Sequence, residues 1–382
     1  MPLVKSIRYN KLFAIIILLG AFTVLSPTLD KAYLYIITPF FFFISLLFVS
    51  KSIFNNGLLR LYILFTLSFL LTSLFGIDVA NSLSSTPFYI NTLLVVVYTT
   101  VFSQNPKYQN VFFGFYLLYF IACWIYGYQN AGFSEIDITS ERAGDDSINA
   151  NRFGYFLFFL TFLCYVKGER FNKYASVWRF LFLLIPFISF AISLITASRQ
   201  ILIIQIPFIA VLIFLRYFNK LTYKSLILGV LFTLLLIIGL VYIRSSHSDA
   251  YLLNRMSEDF SEDSRVELML LAINVFFQKP LTGVGIGNLG FMSHCTYTDI
   301  LAEAGIIPFV LYLSVLISFC RRLYIRYIHT HQSIFLAFLT FGIFYIIYNI
   351  FYVFYLFAIV MAFIFLAEQY STYIYRIKML KV

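Results

Sequence analysis

The side chains of this sequence best suited to chemistry are one histidine and four arginines: His294, Arg142, Arg152, Arg199 and Arg265. An imidazole beside a helix start can act as a general base near neutral pH. The planar guanidinium of arginine binds phosphate oxygens through two hydrogen bonds and stays charged. The set favours a site that holds a phosphate-bearing ligand and removes a proton from a second reactant. The alternatives are a plain surface histidine and arginines paired with nearby acidic residues.

Four polar segments carry these residues. The first precedes an apolar run, and the second separates two apolar runs. The segment R-A-G-D-D-S-I-N-A-N-R-F-G contains Arg142 and Arg152 as candidate ligands, and its Asn151 is interpreted as a helix cap. The segment T-A-S-R-Q places Ser198 and Arg199 in a tight turn at the membrane boundary. An unpartnered guanidinium is costly there, so Arg199 is expected to have a partner, with snorkelling to lipid phosphates as the alternative.

The third segment runs from Ser264 to Asn288. Ser264 followed by Glu267 is a capping box, which predicts a helix that carries Arg265 in its first turn and ends at Pro280. Glycines follow at positions 283, 285 and 287. They follow a helix and not a strand, so a nucleotide-binding loop is excluded and a flexible backbone turn is expected.

The fourth segment, S-H-C-T-Y-T-D-I-L-A-E-A-G, leads into a late apolar run. It places His294 beside a predicted helix start and Glu303 near the end of the same segment. The other cysteines, at 123, 164 and 320, fall in apolar runs, so Cys295 is the one cysteine expected in an outward loop and no disulfide is expected.

The elements that must position these segments are membrane helices. Of 382 residues, 61% are hydrophobic and 12% charged, about half the ~25% charged fraction of soluble chains. This composition excludes a soluble globular enzyme, a nucleic-acid binder and a disulfide scaffold. The sequence therefore predicts an all-α polytopic membrane protein.

Twelve apolar runs are long enough to be read as spans of a single integral domain over 1–382. Two longer outward loops, 129–152 and 244–303, carry short amphipathic helices. The predicted spans are Leu12–Leu29, Tyr33–Val49, Leu59–Phe75, Phe88–Phe102, Val111–Tyr128, Phe153–Val166, Trp178–Thr196, Ile201–Tyr217, Leu226–Ile243, Ala304–Cys320, Ser333–Ile347 and Ile350–Ala367.

Loop charges agree with this count. With both termini cytoplasmic, the inner side holds 19 basic and two acidic residues, and the outer side eight basic and fifteen acidic residues. The overall charge of +10 is thus a topology signal and gives no support to nucleic-acid binding. The spans hold almost no ionisable residues, which argues against a cation-coupled transporter, although a channel or flippase lined by neutral groups stays open.

In their order along the chain, the four segments resemble the superfamily of O-antigen ligases and Wzy-type O-antigen polymerases. The matching motifs are N-x-N-x-x-G, S-R, R-x-E, P-L-T-G-V-G-x-G-N and H-x-x-Y-x-x-x-L-A-E-x-G, which cover the second half of the sequence. Departures from the family pattern occur at Cys295 and Pro308.

The resemblance implies a GT-C-like, metal-independent glycosyltransferase without a cofactor, in the bacterial inner membrane. Its donor would be a glycan on undecaprenyl diphosphate, and its partners would include membrane lipid, a chain-length regulator and a flippase. His294 would be the base, with Glu303 as helper, while Arg199 and Arg265 stabilise the leaving diphosphate. Arg142, Asn151, Arg152 and Ser198 would bind diphosphate or sugar. The metal-binding motif D-x-D is absent from the sequence. Polymerase is the first expectation, ligase onto lipid A core the second, and a polysaccharide flippase the third.

Overall fold

The computed structural model of the protein describes residues 36, 38–46, 55–130, 151–169, 175–196, 201–217, 264–354 and 358–379. These residues are 85% helical and include no strand, which confirms the all-α prediction for this part of the chain. In chain order the helices are α1 (Thr38–Leu46), α2 (Gly57–Thr72), α3 (Val79–Phe102), α4 (Pro106–Asn130), α5 (Asn151–Lys167), α6 (Ala175–Thr196), α7 (Ile206–Tyr217), α8 (Ser264–Gln278), α9 (Thr296–Ala304), α10 (Ile306–Thr330), α11 (Ser333–Tyr348) and α12 (Ala358–Met379).

Five helices within the described ranges are long and apolar enough to cross a membrane. They are Gly57–Phe75, Val79–Phe102, Ala175–Ile192, Ile306–Thr330 and Ala358–Met379. Shorter apolar helices cover Gly154–Lys167, Ile203–Tyr217 and Ser333–Tyr348. The helices are compatible with a polytopic membrane protein. The predicted spans Leu12–Leu29 and Leu226–Ile243 lie outside the described residues.

Helix α6 shows how exposed apolar side chains are arranged on a single helix. Its exposed large side chains recur at intervals of three and four residues, which places them along one side of the helix. They are Val177, Phe180, Leu183, Leu184, Phe187 and Ile188. Such a continuous apolar stripe is typical of a surface that faces lipid.

The last predicted span, Ile350–Ala367, was wrong at its start. Helix α11 ends at Tyr348, one residue after the predicted end of its span, and α12 covers Ala358–Met379. Residues 349–354 form a non-helical segment. In this segment the N–H of Phe354 donates to the hydroxyl of Thr296 at 2.9 Å. This hydrogen bond to the start of α9 takes the place of a bond within a helix.

The fourth span also begins earlier than its apolar run. Helix α3 starts at Val79, nine residues before the predicted start at Phe88. Asp78 is the N-cap, and its side chain accepts a hydrogen bond from Asn81 N–H at 3.0 Å. Capping therefore begins the helix in a polar stretch that hydropathy does not mark.

The chain divides into two compact units. One contains the described parts of 1–116, 271–319 and 353–382, and the other those of 117–270 and 320–352. In the first unit α12 packs along α3, and the hydroxyl of buried Tyr116 donates to Ile359 O at 2.7 Å. In the second, the rings of Phe162 and Phe341 stack with centroids 4.1 Å apart. Aromatic pairs of this kind stabilise each core by about 0.5–1.5 kcal/mol beyond area burial.

Candidate functional site

The candidate site is built in the first unit around α9. The segment Pro280–Asn288, called here the glycine loop, passes the C-terminal end of this helix. The N–H of Val284 donates to Ala302 O, and that of Gly285 to Glu303 O, both at 2.9 Å. Because the last carbonyls of a helix have no partner within it, these bonds satisfy groups that the helix itself leaves open.

Glycine is required where the two backbones meet. Gly283 has φ +64°, and a Cβ on it would lie 2.3 Å from the carbonyl carbon of Glu303. Gly305 has φ +81°, and its Cβ would lie 2.5 Å from the backbone of Leu281. The loop is thus closely packed against the helix end, and not the flexible turn expected from its composition.

Asn288 ties the glycine loop to the start of α3. Its Nδ2 lies within hydrogen-bond distance of Asp78 O (2.9 Å), Ser82 Oγ (2.9 Å) and Val284 O (3.1 Å). Its Oδ1 accepts from Asn81 Nδ2 at 2.8 Å. The polar first turns of α3 are therefore part of the site, although they carry none of the residues predicted from the sequence. The detectable signal was the run of Asp, Asn and Ser between 78 and 85.

Glu303 lies in the last turn of α9, with its carboxylate oriented by two donors. Oε1 accepts from Gly287 N–H at 3.2 Å, and Oε2 accepts from the Tyr89 hydroxyl at 3.3 Å. Tyr89 belongs to α3 and stacks on Phe69 with ring centroids 4.6 Å apart. The half-buried carboxylate thus stands where the glycine loop, α3 and α9 meet.

His294 lies just before the other end of α9, in an uncommon backbone conformation. Its φ is +61°, and among the described residues it shares a positive φ with one other non-glycine residue, His331. His331 follows the last turn of α10, where left-handed residues commonly end helices. His294 has no such helix to end, so its conformation is held by its neighbours and marks a strained position.

Buried hydrogen bonds on both sides hold His294 in place. Ser293 N–H donates to Asp299 Oδ1 at 3.0 Å, and Ser293 Oγ lies 2.7 Å from Thr298 Oγ1. Cys295 N–H donates to Ser293 Oγ at 3.2 Å. The imidazole, which is half-buried, is therefore carried on a turn anchored to the first turn of α9.

Asp299 is the buried acid of this anchor. It is 4% exposed. Burial raises the pKa of its carboxyl to about 6, and the hydrogen bonds from the Ser293 hydroxyl and N–H oppose that increase. The anchor is accordingly sensitive to pH in the weakly acidic range.

The structure brings two of the eight predicted site residues into this unit. His294 and Glu303 lie near opposite ends of α9, and Glu303 follows Thr296 by seven positions, about 10 Å along the axis. Arg265 is the second residue of α8, partly buried, and belongs to the second unit. Helix α8 begins at Ser264 and ends at Gln278, as the capping box and Pro280 predicted.

Of the five remaining predicted site residues, the structure describes two. Asn151 and Arg152 are the first two residues of α5. Arg142, Ser198 and Arg199 lie outside the described residues. Within the described ranges no group of three or more His, Cys, Asp or Glu residues is placed to hold a metal ion, and Cys164, Cys295 and Cys320 are free thiols.

Comparison of the chain with models of known protein families gives no match, and none of the curated proteins matches it.

Proposed function

We propose that the protein is a membrane glycosyltransferase that polymerises a surface polysaccharide at the outer face of the bacterial cytoplasmic membrane. The donor is a glycan on undecaprenyl diphosphate, and the acceptor is the repeat unit on a second carrier. The apolar helices support a membrane location. The observation that most supports this proposal is the strained backbone of His294, which its neighbours hold in place. Strain of this kind is retained where the surrounding structure positions a residue for function.

In the proposed step His294 removes the proton from an acceptor hydroxyl. The acceptor oxygen then forms a bond to the anomeric carbon of the donor, and the bond from that carbon to the carrier phosphate breaks with its electron pair on the diphosphate. Arg199 and Arg265 stabilise the charge that develops there. The position of Arg265 in the first turn of α8 supports its role, because a helix N-terminus also favours an anion. Arg142, Asn151, Arg152 and Ser198 contact diphosphate or sugar.

Glu303 acts in this proposal on the sugar and not on His294. The distance along α9 separates the two groups, while Glu303 is linked to the amide group of Asn81 through Gly287, whose N–H donates to Glu303 and whose carbonyl accepts from Asn81 Nδ2 at 2.9 Å. Carboxylate and amide groups together provide the acceptors and donors that hydroxyl groups require. The carboxylate would thus orient a sugar ring beside the glycine loop.

Deletion of the gene in its native strain, followed by a lipopolysaccharide gel, tests the proposal. Core carrying a single repeat unit is the expected result. Bare core with accumulated carrier-linked polymer would instead identify a ligase. An unchanged ladder of polymer would overturn both.

A further inference from the structure

A cluster of charged residues in the second unit surrounds the C-terminal end of α5. These charged residues, Lys167, Glu169, Arg179 and Arg216, together with Gly168 between them, are called here the α5 end cluster. Arg179 Nε donates to Gly168 O at 2.7 Å, and Arg216 Nη2 donates to Tyr165 O. Since the end of a helix exposes carbonyls with partial negative charge, these two bonds are explained by capping.

Capping does not account for the rest of the Arg216 guanidinium. The side chain is 8% exposed, its Cζ lies 4.1 Å from the ring centroid of Tyr165, and Nη2 lies 3.5 Å from Glu169 Oε1. Its Nη1 is buried and has no hydrogen-bond partner within the described part of the chain. A buried donor normally has an acceptor, so the missing acceptor here requires an explanation.

The charges around Nη1 indicate what that acceptor is. The described residues of the α5 end cluster hold three basic side chains, Lys167, Arg179 and Arg216, and one acidic side chain, Glu169. Lys167 is itself buried. An anion is therefore favoured, and a phosphate group, whose oxygens accept paired hydrogen bonds from a guanidinium, fits this donor.

We propose that the α5 end cluster binds a phosphate group, with Arg216 Nη1 as a donor and with Arg179 contributing charge. The loop charges predict that this end of α5 faces the cytoplasm, where anionic phospholipids are concentrated and bind basic pockets between helices. The phosphate is then that of a lipid headgroup, or inorganic phosphate from the same compartment. The site is independent of the proposed transferase chemistry.

Thermal unfolding of the purified full-length protein in neutral detergent tests the site. Phosphatidylglycerol, phosphatidylcholine and inorganic phosphate are added separately. The parent protein is expected to gain roughly 2–5 °C in unfolding midpoint with phosphatidylglycerol over phosphatidylcholine. A similar gain with inorganic phosphate would identify the free ion as a sufficient ligand.

Two variants separate the site from general lipid effects. Arg216→Gln removes the donor, and Arg321→Gln, an exposed arginine on α10, is the matched control. Gly168→Ala removes no charge, but its Cβ would lie 2.8 Å from Arg216 Nη1 and 3.1 Å from Arg179 Cγ, so the guanidinium must shift. Both cluster variants should lose the phosphatidylglycerol-specific gain, and the control should keep it.

The readout is the difference between the two lipids within each variant, so a general loss of stability does not obscure it. The proposal is overturned if the parent gains nothing from either phosphatidylglycerol or phosphate. It is equally overturned if Arg216→Gln gains as much as the parent.

Discussion

Gly283 and Glu303 are in backbone contact: a Cβ on Gly283 would lie 2.3 Å from the Glu303 carbonyl carbon. In the same glycine loop, the N–H of Gly285 donates a hydrogen bond to the carbonyl oxygen of Glu303. The position of the Glu303 carboxylate is therefore fixed by main-chain packing as well as by its own hydrogen bonds. Any side chain at 283 should displace it.

Gly283→Ala is expected to lower both the unfolding midpoint and glycan transfer. The matched control is Gly290→Ala, because Gly290 also has positive φ (+75°) but a Cβ there would meet nothing within 4 Å. The control should cost about 1 kcal/mol for the left-handed conformation, and Gly283→Ala should cost more by the steric overlap. Equal unfolding midpoints for the two variants would contradict the close backbone contact.

Asp299→Asn should change how stability depends on pH. Because burial raises the folded-state pKa to about 6, Asp299 contributes stability that is fully present below pH ~4 and is lost as the pH rises through 6. The asparagine variant cannot titrate, so the parent should lose stability relative to it between pH ~4 and pH ~6. Thermal unfolding of both proteins across this range measures the effect, and parallel curves would contradict it.

Glu303→Gln keeps the shape of the side chain and removes its charge. We expect transfer activity to fall by about tenfold or more with little loss of stability, because the amide oxygen can still accept from Gly287 N–H. Tyr89→Phe should have a smaller effect, since the ring still stacks on Phe69 and only one bond to Glu303 is lost. Kinetics of the purified variants with carrier-linked donor provide the measurement.

Glu169→Gln, a partly exposed residue of the α5 end cluster, is the control for loss of an acidic residue. It should retain parental activity. If Glu303→Gln were as active as this control, the carboxylate would have no part in the reaction.

Local signals predicted the parts of the site that depend on neighbours in sequence. Ser264, Glu267 and Pro280 are enough to define α8, because capping and the missing proline N–H act within a few residues. The helix start beside His294 was likewise expected, and α9 begins at Thr296. The positive φ of His294 was not predicted, because only a small minority of histidines adopt that conformation and their residue type does not identify them.

The contacts that assemble the site could not be predicted in this way. Asn288 reaches Ser82 across 206 positions of sequence, and neither residue type indicates a distant partner. The start of α3 was missed because hydropathy detects the apolar run and not the polar turns before it. Glu303 was identified by its motif, yet its bonds to Gly287 and Tyr89 depend on how three segments pack.

Reporter fusions test the predicted topology independently of the chemistry. Fusions at Lys173 and Arg322 should report the cytoplasm, because basic residues near span ends are retained there. Fusions at Asp146 and Ser261, in the two long acidic loops, should report the outer side. An inverted result at any of the four positions would mean a miscounted span, and would move the α5 end cluster or the candidate site to the opposite face.

Variants of His294 separate its chemistry from its backbone strain. Asparagine tolerates a left-handed backbone but cannot serve as a base, and glycine relieves the strain at φ +61° altogether. Both His294→Asn and His294→Gly should therefore fold at least as stably as the parent, while turnover falls by ~10² to 10⁴. His331→Asn, at the second positive-φ histidine, should leave turnover unchanged. Assays with carrier-linked donor, paired with unfolding midpoints, give both readouts, and parental turnover in either His294 variant would exclude it as the base.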